Sequence, residues 1–168
     1  MILKNSLNLL LIVSYLGLSA CGVYSFTGAA IEGKTINIHY IDNTARNVVP
    51  LVSQTFTQKL QQRILSQTSL SQVNNDATDY TITGSITAYE VTVAAITGNE
   101  TSSQNRLTIT VSIEFQNRIN DKANFTQSFS RFADFSATQN IQSVEQSLIA
   151  DISEQLADDI FNKAFVNW

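Results

Sequence analysis

Apolar residues recur along this chain with two different periods, and each period predicts one kind of element. A spacing of three to four residues, which places side chains on one face of a helix, holds over residues 49–67 and again over residues 141–160. Pro50, the only proline, lies where a first helical turn tolerates it. The pattern therefore predicts two amphipathic helices, one in the middle of the chain and one near its end.

Alternation of apolar and polar residues, which indicates half-buried strands, marks four other segments. They are residues 35–41, 80–93, 106–116 and 125–135. In the second segment the apolar phase slips towards Tyr89, which favours a β-bulge or a local twist. Gly84 in the same strand indicates either a bulge or a site of close packing. The turn residues after the first strand, 42–44, separate it from the first helix.

The order of elements is strand, helix, strand, strand, strand, helix. The first strand-helix-strand unit requires a crossover and so a parallel pair, whereas the later short connections suit antiparallel hairpins. Each helix has one apolar stripe and each strand one apolar face, so both helices are expected on the same side of the sheet. The prediction is an α+β fold: a two-layer sandwich with two helices packed on one face of a mixed four-stranded sheet.

The opposite face of this sheet is predicted to consist of hydroxyl side chains with almost no charge. Its members are Thr81, Thr83, Ser85, Thr108, Thr110, Ser112, Thr126, Ser128 and Ser130. A neutral face that forms hydrogen bonds suits contact with another polar surface, because no unpaired charge is buried. A general preference of the source genome for Thr and Asn would explain the same pattern.

The N-terminus is predicted to be a lipoprotein signal. Lys4 precedes an apolar run from Leu7 to Leu18, which is shorter than the roughly 20 residues of a membrane-spanning helix and suits a secretory signal. The run leads to Leu18-Ser19-Ala20-Cys21, which resembles the bacterial lipobox, and Cys21 is the only cysteine. The alternatives are an ordinary cleaved signal with a chance cysteine, or a buried structural cysteine.

We therefore expect three segments: a cleaved signal peptide over 1–20, a lipidated tether over 21–34 and a single domain over 35–168. In well-studied Gram-negative bacteria an aspartate after the modified cysteine retains lipoproteins in the inner membrane, and here Gly22 stands at that position. By this resemblance the expected location is the periplasmic side of the outer membrane, with acyl chains on Cys21 as the anchor.

Composition excludes several classes of protein. The chain has 168 residues with 10 basic and 14 acidic side chains, a net charge of −4. Without a basic stripe to displace counterions from phosphates, nucleic-acid binding is not expected. A hydrophobic share of 43% argues against intrinsic disorder. With one histidine and one cysteine, the chain has too few ligands for most zinc sites and too few cysteines for a disulfide scaffold.

The chain also lacks the common catalytic motifs. It has no Gly-x-Ser-x-Gly elbow, no P-loop, no Rossmann glycine fingerprint and no His-Glu-x-x-His pair. A surface or hydrogen-bonded strand histidine fits His39 better than a general base does. Glu154, Asp158 and Asp159 are expected on a solvated helix face, and Arg131 either reaches past the sheet edge or pairs with a carboxylate. We therefore predict no enzyme, no cofactor and no metal.

Three basic residues in the strand region are candidate contacts for an anionic glycolipid. They are Arg106, Arg118 and Lys122, and arginine forks match the geometry of phosphate. Scattered solubility charges, or pairs with Glu114 and Asp121, explain the same residues.

Four short stretches together carry a resemblance to a known family. They are Cys21-Gly22-Val23-Tyr24-Ser25-Phe26, Asp79-Tyr80-Thr81-Ile82-Thr83-Gly84, Asn105-Arg106-Leu107-Thr108-Ile109 and Asp159-Ile160-Phe161-Asn162. They resemble the LptE-type lipopolysaccharide-assembly lipoproteins, as found in Bacteroidetes-like bacteria. The resemblance runs over most of the mature chain, and the order of elements agrees with the family's two helices on a mixed four-stranded sheet.

The resemblance implies a partner rather than a reaction. Members of the family lie as a plug inside a large outer-membrane β-barrel, the LptD-type translocon, assist its assembly and contact lipopolysaccharide on its way to the cell surface. The hydroxyl side chains of Thr81, Thr83, Thr108, Thr110 and Ser128 are then the candidate barrel-facing surface. The acidic balance of the mature chain favours the plug role over a grip on anionic glycolipid. The alternative is a stand-alone periplasmic carrier lipoprotein that binds lipopolysaccharide.

Overall fold

The computed structural model describes residues 31–75, 77–94 and 103–166, and the secondary structure of this part follows the predicted order closely. Its strands and helices are β1 (Thr35–Ile38), β2 (Asp42–Asn43), α1 (Pro50–Gln67), β3 (Ser71–Gln72), β4 (Tyr80–Ala94), β5 (Gln104–Asn117), β6 (Phe125–Ser136) and α2 (Ile141–Phe161). A short 3-10 turn, Asp121–Ala123, lies between β5 and β6, and a π-helical turn, Asn162–Val166, follows α2. Both predicted helices and the three long strands are confirmed to within two residues.

The sheet has the strand order β3-β1-β4-β5-β6, and β2 also pairs with β4. β1, β2 and β3 form parallel pairs, whereas β4, β5 and β6 form an antiparallel meander. The mixed sheet is confirmed, but the expected four strands are too few, because six strands form the sheet in the described residues. The two additional strands, β2 and β3, are two residues long, which is too short for any alternation to reveal them.

The predicted first strand, 35–41, is divided into two. Ile38 pairs with Ile82, but Asp42 pairs with Ser85, so the offset along β4 changes by one residue between β1 and β2. The residues predicted as a turn therefore include a second strand, Asp42–Asn43. This second strand forms because its backbone pairs with β4, and its side chains show no strand pattern.

The predicted slip in β4 is confirmed as a register shift. Ile86 pairs with Val111 and Ala88 with Thr110, which leaves Thr87 as the extra residue of a bulge. The shift turns Tyr89 towards the helices, where it is buried. Gly84 proves to be a site of close packing, because a Cβ atom there would lie 2.2 Å from the carbonyl oxygen of Ser112 in β5.

Both helices pack on one face of the sheet, as predicted, and a continuous core fills the space between the layers. Fully buried side chains of α1, including Phe56 and Leu60, belong to the same cluster as Ile82 of β4 and Ile109 of β5. Each such buried side chain stabilises the fold by about 1.5–3 kcal/mol relative to exposure.

Aromatic rings close the core at the end where β4 begins and β5 ends. Phe165 from the π-helical turn packs edge-on against Tyr80 and against Phe115, each at a centroid distance of 5.5 Å. Tyr80 and Phe115 are themselves stacked at 5.8 Å. The turn after α2 therefore completes the core beneath the sheet.

Ion pairs join the layers at their surface. The carboxylates of α2 bind cations of α1 and β6, in the pairs Lys59–Glu154 (3.0 Å), Arg63–Asp158 (2.9 Å) and Arg131–Asp159 (2.6 Å). Glu154 lies on a solvated face, as expected, with its side chain 66% exposed. Each of the three carboxylates also lies opposite a cation that the sequence pattern does not reveal. For Arg131, the expected pairing with a carboxylate is confirmed.

Candidate interaction surface

The sheet face that points away from the helices carries polar side chains on three neighbouring strands, β4, β5 and β6. Strand register sets its rows: Thr83, Glu114 and Thr126 lie side by side, then Ser85, Ser112 and Ser128, and then Ala88, Thr110 and Ser130. We call this the hydroxyl face. The expectation of almost no charge on it is wrong, because the register also places the exposed carboxylates Glu90 and Glu114 here, together with the Arg106–Asp134 pair. The hydroxyl face contains the predicted barrel-facing candidates Thr81, Thr83, Thr108, Thr110 and Ser128.

Hydroxyl groups on this face are partly engaged with one another. Thr110 Oγ1 and Ser130 Oγ lie 2.9 Å apart across β5 and β6, and Thr87 Oγ1 donates to the Thr110 carbonyl at 3.3 Å. The candidates on β4 and β5 are half-buried by their neighbours, whereas Ser128 on β6 is exposed. Since a hydroxyl both donates and accepts, each group in such a row retains capacity for a further partner.

One exposed aromatic residue interrupts the hydroxyl face. Phe132 of β6 pairs with Thr108 and is 48% exposed. The guanidinium carbon of Arg106 lies 3.6 Å from its ring centroid, within the range of a cation–π contact. Asp134 holds that guanidinium through two hydrogen bonds of 2.7 and 2.9 Å.

The Arg106–Asp134 pair carries no net charge. Hydrogen bonding from Arg106 lowers the pKa of the Asp134 carboxyl, and the same hydrogen bonds raise the pKa of the Arg106 guanidinium. Both groups therefore remain ionised and paired at neutral pH. Sequence reasoning missed Phe132 and Asp134, although a phenylalanine in the polar phase of β6 was a visible signal.

The three glycolipid candidates do not form one site. Arg118 and Lys122 lie in the connection between β5 and β6, whereas Arg106 lies near the other end of β5. Twelve residues of extended strand separate Arg106 from Arg118, about 40 Å along the sheet. Arg106 is also engaged by Asp134, while the ion pairs of the described residues involve neither Arg118 nor Lys122.

The single histidine is exposed and bound to a neighbour. His39 Nε2 lies 3.1 Å from Asn37 Nδ2, and Asn37 also donates to the carbonyl oxygen of Asn75. Among residues 31–75, 77–94 and 103–166, no three His, Cys, Asp or Glu side chains are grouped closely enough to hold a metal ion.

The lipidation candidate lies outside the described residues, together with the predicted signal peptide and most of the tether. Of the predicted tether, Ile31 packs half-buried against the core and Gly33 is buried. Within the described ranges neither helix combines the length and the hydropathy that crossing a bilayer requires.

The LptE family model, described as lipopolysaccharide-assembly, matches residues 33–164, which is 132 of the 168 residues. Among curated protein sequences, none matches this chain.

Several solved structures are similar to this chain in the path of the backbone. A minor lipoprotein from Acinetobacter baumannii is 12% identical, with 77% of this chain and 91% of that chain covered and a TM-score of 0.45. A hypothetical protein from Chlamydia trachomatis is 8% identical, with 80% and 98% covered and a TM-score of 0.49. PelC from Paraburkholderia phytofirmans is 15% identical, with 78% and 93% covered and a TM-score of 0.42. Similarity at this level carries no functional argument.

Proposed function

This chain belongs to the lipopolysaccharide-assembly family LptE, and on that premise we propose that it is an outer-membrane lipoprotein that acts as plug and assembly partner of an LptD-type β-barrel. Cys21 carries the acyl anchor, and the domain serves lipopolysaccharide transport to the cell surface from the periplasmic side. The role is binding and assembly rather than catalysis.

The observation that carries the proposal, beside the family, is the hydroxyl face. The interior of an outer-membrane barrel is polar, and a plug must meet that wall without burying unpaired charge, which is costly. Thr108 and Thr110 lie on β5, the central strand of the meander, and offer hydroxyl groups there. The Arg106 charge is already paired with Asp134, and the two exposed carboxylates of this face need hydrogen-bond donors on the barrel wall.

Purification from outer membranes tests the partnership. An affinity-tagged mature protein should recover one large β-barrel at near-equal stoichiometry, and depletion of the protein should reduce lipopolysaccharide at the cell surface. Recovery as a free monomer only would contradict the proposal.

Substitutions on the hydroxyl face test the contact surface itself. Thr108→Lys and Thr110→Lys each place a charge on this face and should weaken the association with the barrel, while the domain keeps its thermal stability. Gln58→Lys is the matched control, because Gln58 is exposed on α1 on the other side of the molecule. Equal recovery of the barrel with all three variants would exclude the hydroxyl face as the contact.

The anchor has its own test. Mass spectrometry of the mature protein should find Cys21 at the N-terminus with acyl chains, and Cys21→Ser should release the protein from membranes. A protein that remains membrane-bound as the serine variant would contradict the lipid anchor.

The exposed pair Arg118 and Lys122 supports the second candidate function, a stand-alone carrier that binds lipopolysaccharide. This function predicts saturable binding to purified lipopolysaccharide that Arg118→Gln and Lys122→Gln weaken. Because Arg106 is about 40 Å away along the strand and paired with Asp134, Arg106→Gln should leave that binding unchanged. Salt-insensitive or absent binding would dismiss the carrier.

A further inference from the structure

Hydrogen bonds fix the point at which the N-terminal segment leaves the domain. Asp79 Oδ2 accepts from the backbone N–H of Lys34 at 2.7 Å and from the backbone N–H and the hydroxyl of Thr35, both at 3.0 Å. The backbone N–H of Gly33 donates to Tyr80 Oη at 3.1 Å. We call these contacts the N-terminal clamp. The chain that precedes residue 33 therefore leaves at the end of the sheet where β1 and β4 begin.

The connection between β5 and β6 lies directly beside the clamp. The backbone N–H of Arg118 donates to the carbonyl oxygen of Asp79 at 2.9 Å. Asn117 Oδ1 accepts from the backbone N–H groups of Ile119 and Asn120, each at 2.9 Å, which orders the turn. We call residues 118–122 the basic tip.

The basic tip exposes an apolar side chain between two cations. Ile119 is 44% exposed, and Arg118 and Lys122 are both exposed. None of the ion pairs among the described residues includes either cation. With Asp121 in the same turn, the tip has a net charge of +1, whereas the whole chain has a net charge of −4.

Further cations lie at this end of the sheet. Lys34 follows the clamped glycine, and Lys163 Nζ lies 5.7 Å from the ring of Phe125, the first residue of β6. An apolar side chain flanked by cations is the arrangement that binds the headgroup region of an anionic bilayer.

The length of chain between Cys21 and the described residues limits how far this end can lie from a membrane that holds Cys21. Ten residue steps separate Cys21 from Ile31, and a fully extended chain of that length spans at most about 36 Å. If Cys21 carries acyl chains, the basic tip lies at the end of the domain to which the lipidated tether is attached. The far end of β4 lies a further 45–50 Å away, as roughly estimated from its fifteen residues.

We propose that the basic tip docks on the anionic phospholipid surface of the leaflet that holds the acyl chains of Cys21. Arg118 and Lys122 bind headgroup phosphates, and Ile119 enters the interface beside them. The proposal rests on the lipid anchor of the proposed function, but not on the barrel partner. It gives the domain a fixed orientation on the membrane in place of free motion on its tether.

A single thiol reports the docking. Since Cys21 is the only cysteine and its thiol is consumed by acylation, Ile119→Cys leaves one free thiol for an environment-sensitive fluorophore. The lipidated protein is placed in vesicles of phosphatidylethanolamine with phosphatidylglycerol, and in vesicles of phosphatidylcholine alone. The label at 119 should be shielded from an aqueous quencher and quenched by nitroxide lipids in the anionic vesicles. Val93→Cys, an exposed apolar position at the other end of β4, is the matched control and should remain accessible to water.

Removal of the two cations tests the electrostatic contribution to the docking. Each cation at an anionic surface contributes roughly fivefold to binding, so Arg118→Gln with Lys122→Gln should lower the ratio of docked to undocked tip about 25-fold. Arg46→Gln, which removes an exposed cation outside this end, should change nothing. Thermal unfolding of each variant checks that the domain is intact.

Each other outcome overturns the proposal. A label at 119 that is as accessible as the label at 93, or equal shielding in both kinds of vesicle, excludes docking on anionic phospholipid. Shielding that appears only when lipopolysaccharide is added assigns the tip to glycolipid instead. If the protein with an intact Cys21 does not sediment with vesicles, the lipid anchor is absent, and both the proposed anchor and the proposed docking are wrong. If the protein sediments but position 119 is exposed to water, only the docking is wrong.

Discussion

The guanidinium carbon of Arg106 lies 3.6 Å from the centroid of the Phe132 ring, and the two hydrogen bonds that Arg106 donates to Asp134 hold it there. This contact covers one side of an exposed aromatic ring on the hydroxyl face and pairs the charge of Arg106 with that of Asp134. A rigid aromatic group of this kind, surrounded by small polar side chains, resembles the centre of many protein interfaces, where a few aromatic and arginine residues dominate the binding energy.

If the proposed barrel partnership holds, Phe132→Ala should weaken it by about 2 kcal/mol, a roughly thirtyfold loss of affinity, because the ring is the largest apolar group on this face. The measurement is recovery of the barrel at graded protein concentration, or titration of the purified partners. Val93→Ala removes an exposed apolar side chain on the other side of the sheet and serves as control. Equal effects of the two substitutions would exclude Phe132 from the contact.

Gly84→Ala should destabilise the domain by about 1–3 kcal/mol, as is typical of overpacked sites. The added Cβ would lie 2.2 Å from the Ser112 carbonyl oxygen, so β4 and β5 must move apart. Chemical denaturation measures the free energy of unfolding. Ala88→Ser, a small change beside the bulge of the same strand, should lower the free energy of unfolding much less. If Gly84→Ala leaves the free energy of unfolding unchanged, β4 and β5 can move apart without cost.

Phe165→Ala should cost about 3–5 kcal/mol, because it removes a ring buried against Tyr80 and Phe115 and leaves a cavity. Phe165→Leu should cost less, since it refills part of the space. Thermal and denaturant unfolding would report both changes. If Phe165→Ala leaves stability unaltered, the π-helical turn does not contribute to the core in solution.

The N-terminal clamp should depend on pH. Hydrogen bonds from the backbone of Lys34 and Thr35 lower the pKa of the Asp79 carboxyl below its ordinary 3.8. A carboxyl whose pKa is lowered by folding stabilises the native state above its unfolded pKa, and this contribution is lost as the pH falls through the folded pKa. The clamp is therefore fully formed at neutral pH and should open only below about pH 4.

Hydrogen exchange of the Lys34 and Thr35 amides, followed from pH 7 to pH 3, measures the opening. In Asp79→Asn, protection of these amides should be reduced at every pH and should no longer depend on acidification in this range. Thr138→Ala, which changes a polar turn between β6 and α2, is the control. Unchanged protection in Asp79→Asn would show that other contacts hold the N-terminal segment.

Much of this molecule follows from local pattern. The repeat of apolar residues from Val52 to Ile64 specifies α1, and the alternation from Leu107 to Phe115 specifies β5, because burial on one side requires those periods whatever the neighbours are. The same reasoning correctly separates the helix-facing residues from the hydroxyl face. The family resemblance seen in short stretches is likewise confirmed by the match over residues 33–164.

The features that the sequence pattern does not predict depend on contacts between residues that are distant in sequence. The two-residue strands β2 and β3 exist only because β4 and β1 lie beside them. The ion pair Arg63–Asp158 joins side chains 95 residues apart, and neither residue alone indicates its partner.

The positions of the charged residues show most clearly what the sequence determines and what only the tertiary structure determines. The sequence by itself determined that the chain is poor in charge, that its hydroxyl groups share one sheet face, and that Arg106, Arg118 and Lys122 are its candidate phosphate contacts. Only the tertiary structure decided that Arg106 is neutralised by Asp134 at one end of β5, while Arg118 and Lys122 lie exposed beside the N-terminal clamp at the other. The physical reason is that a period along the chain fixes which side of a strand a residue faces. Strand register fixes which charges meet, and register is set by the packing of the whole sheet.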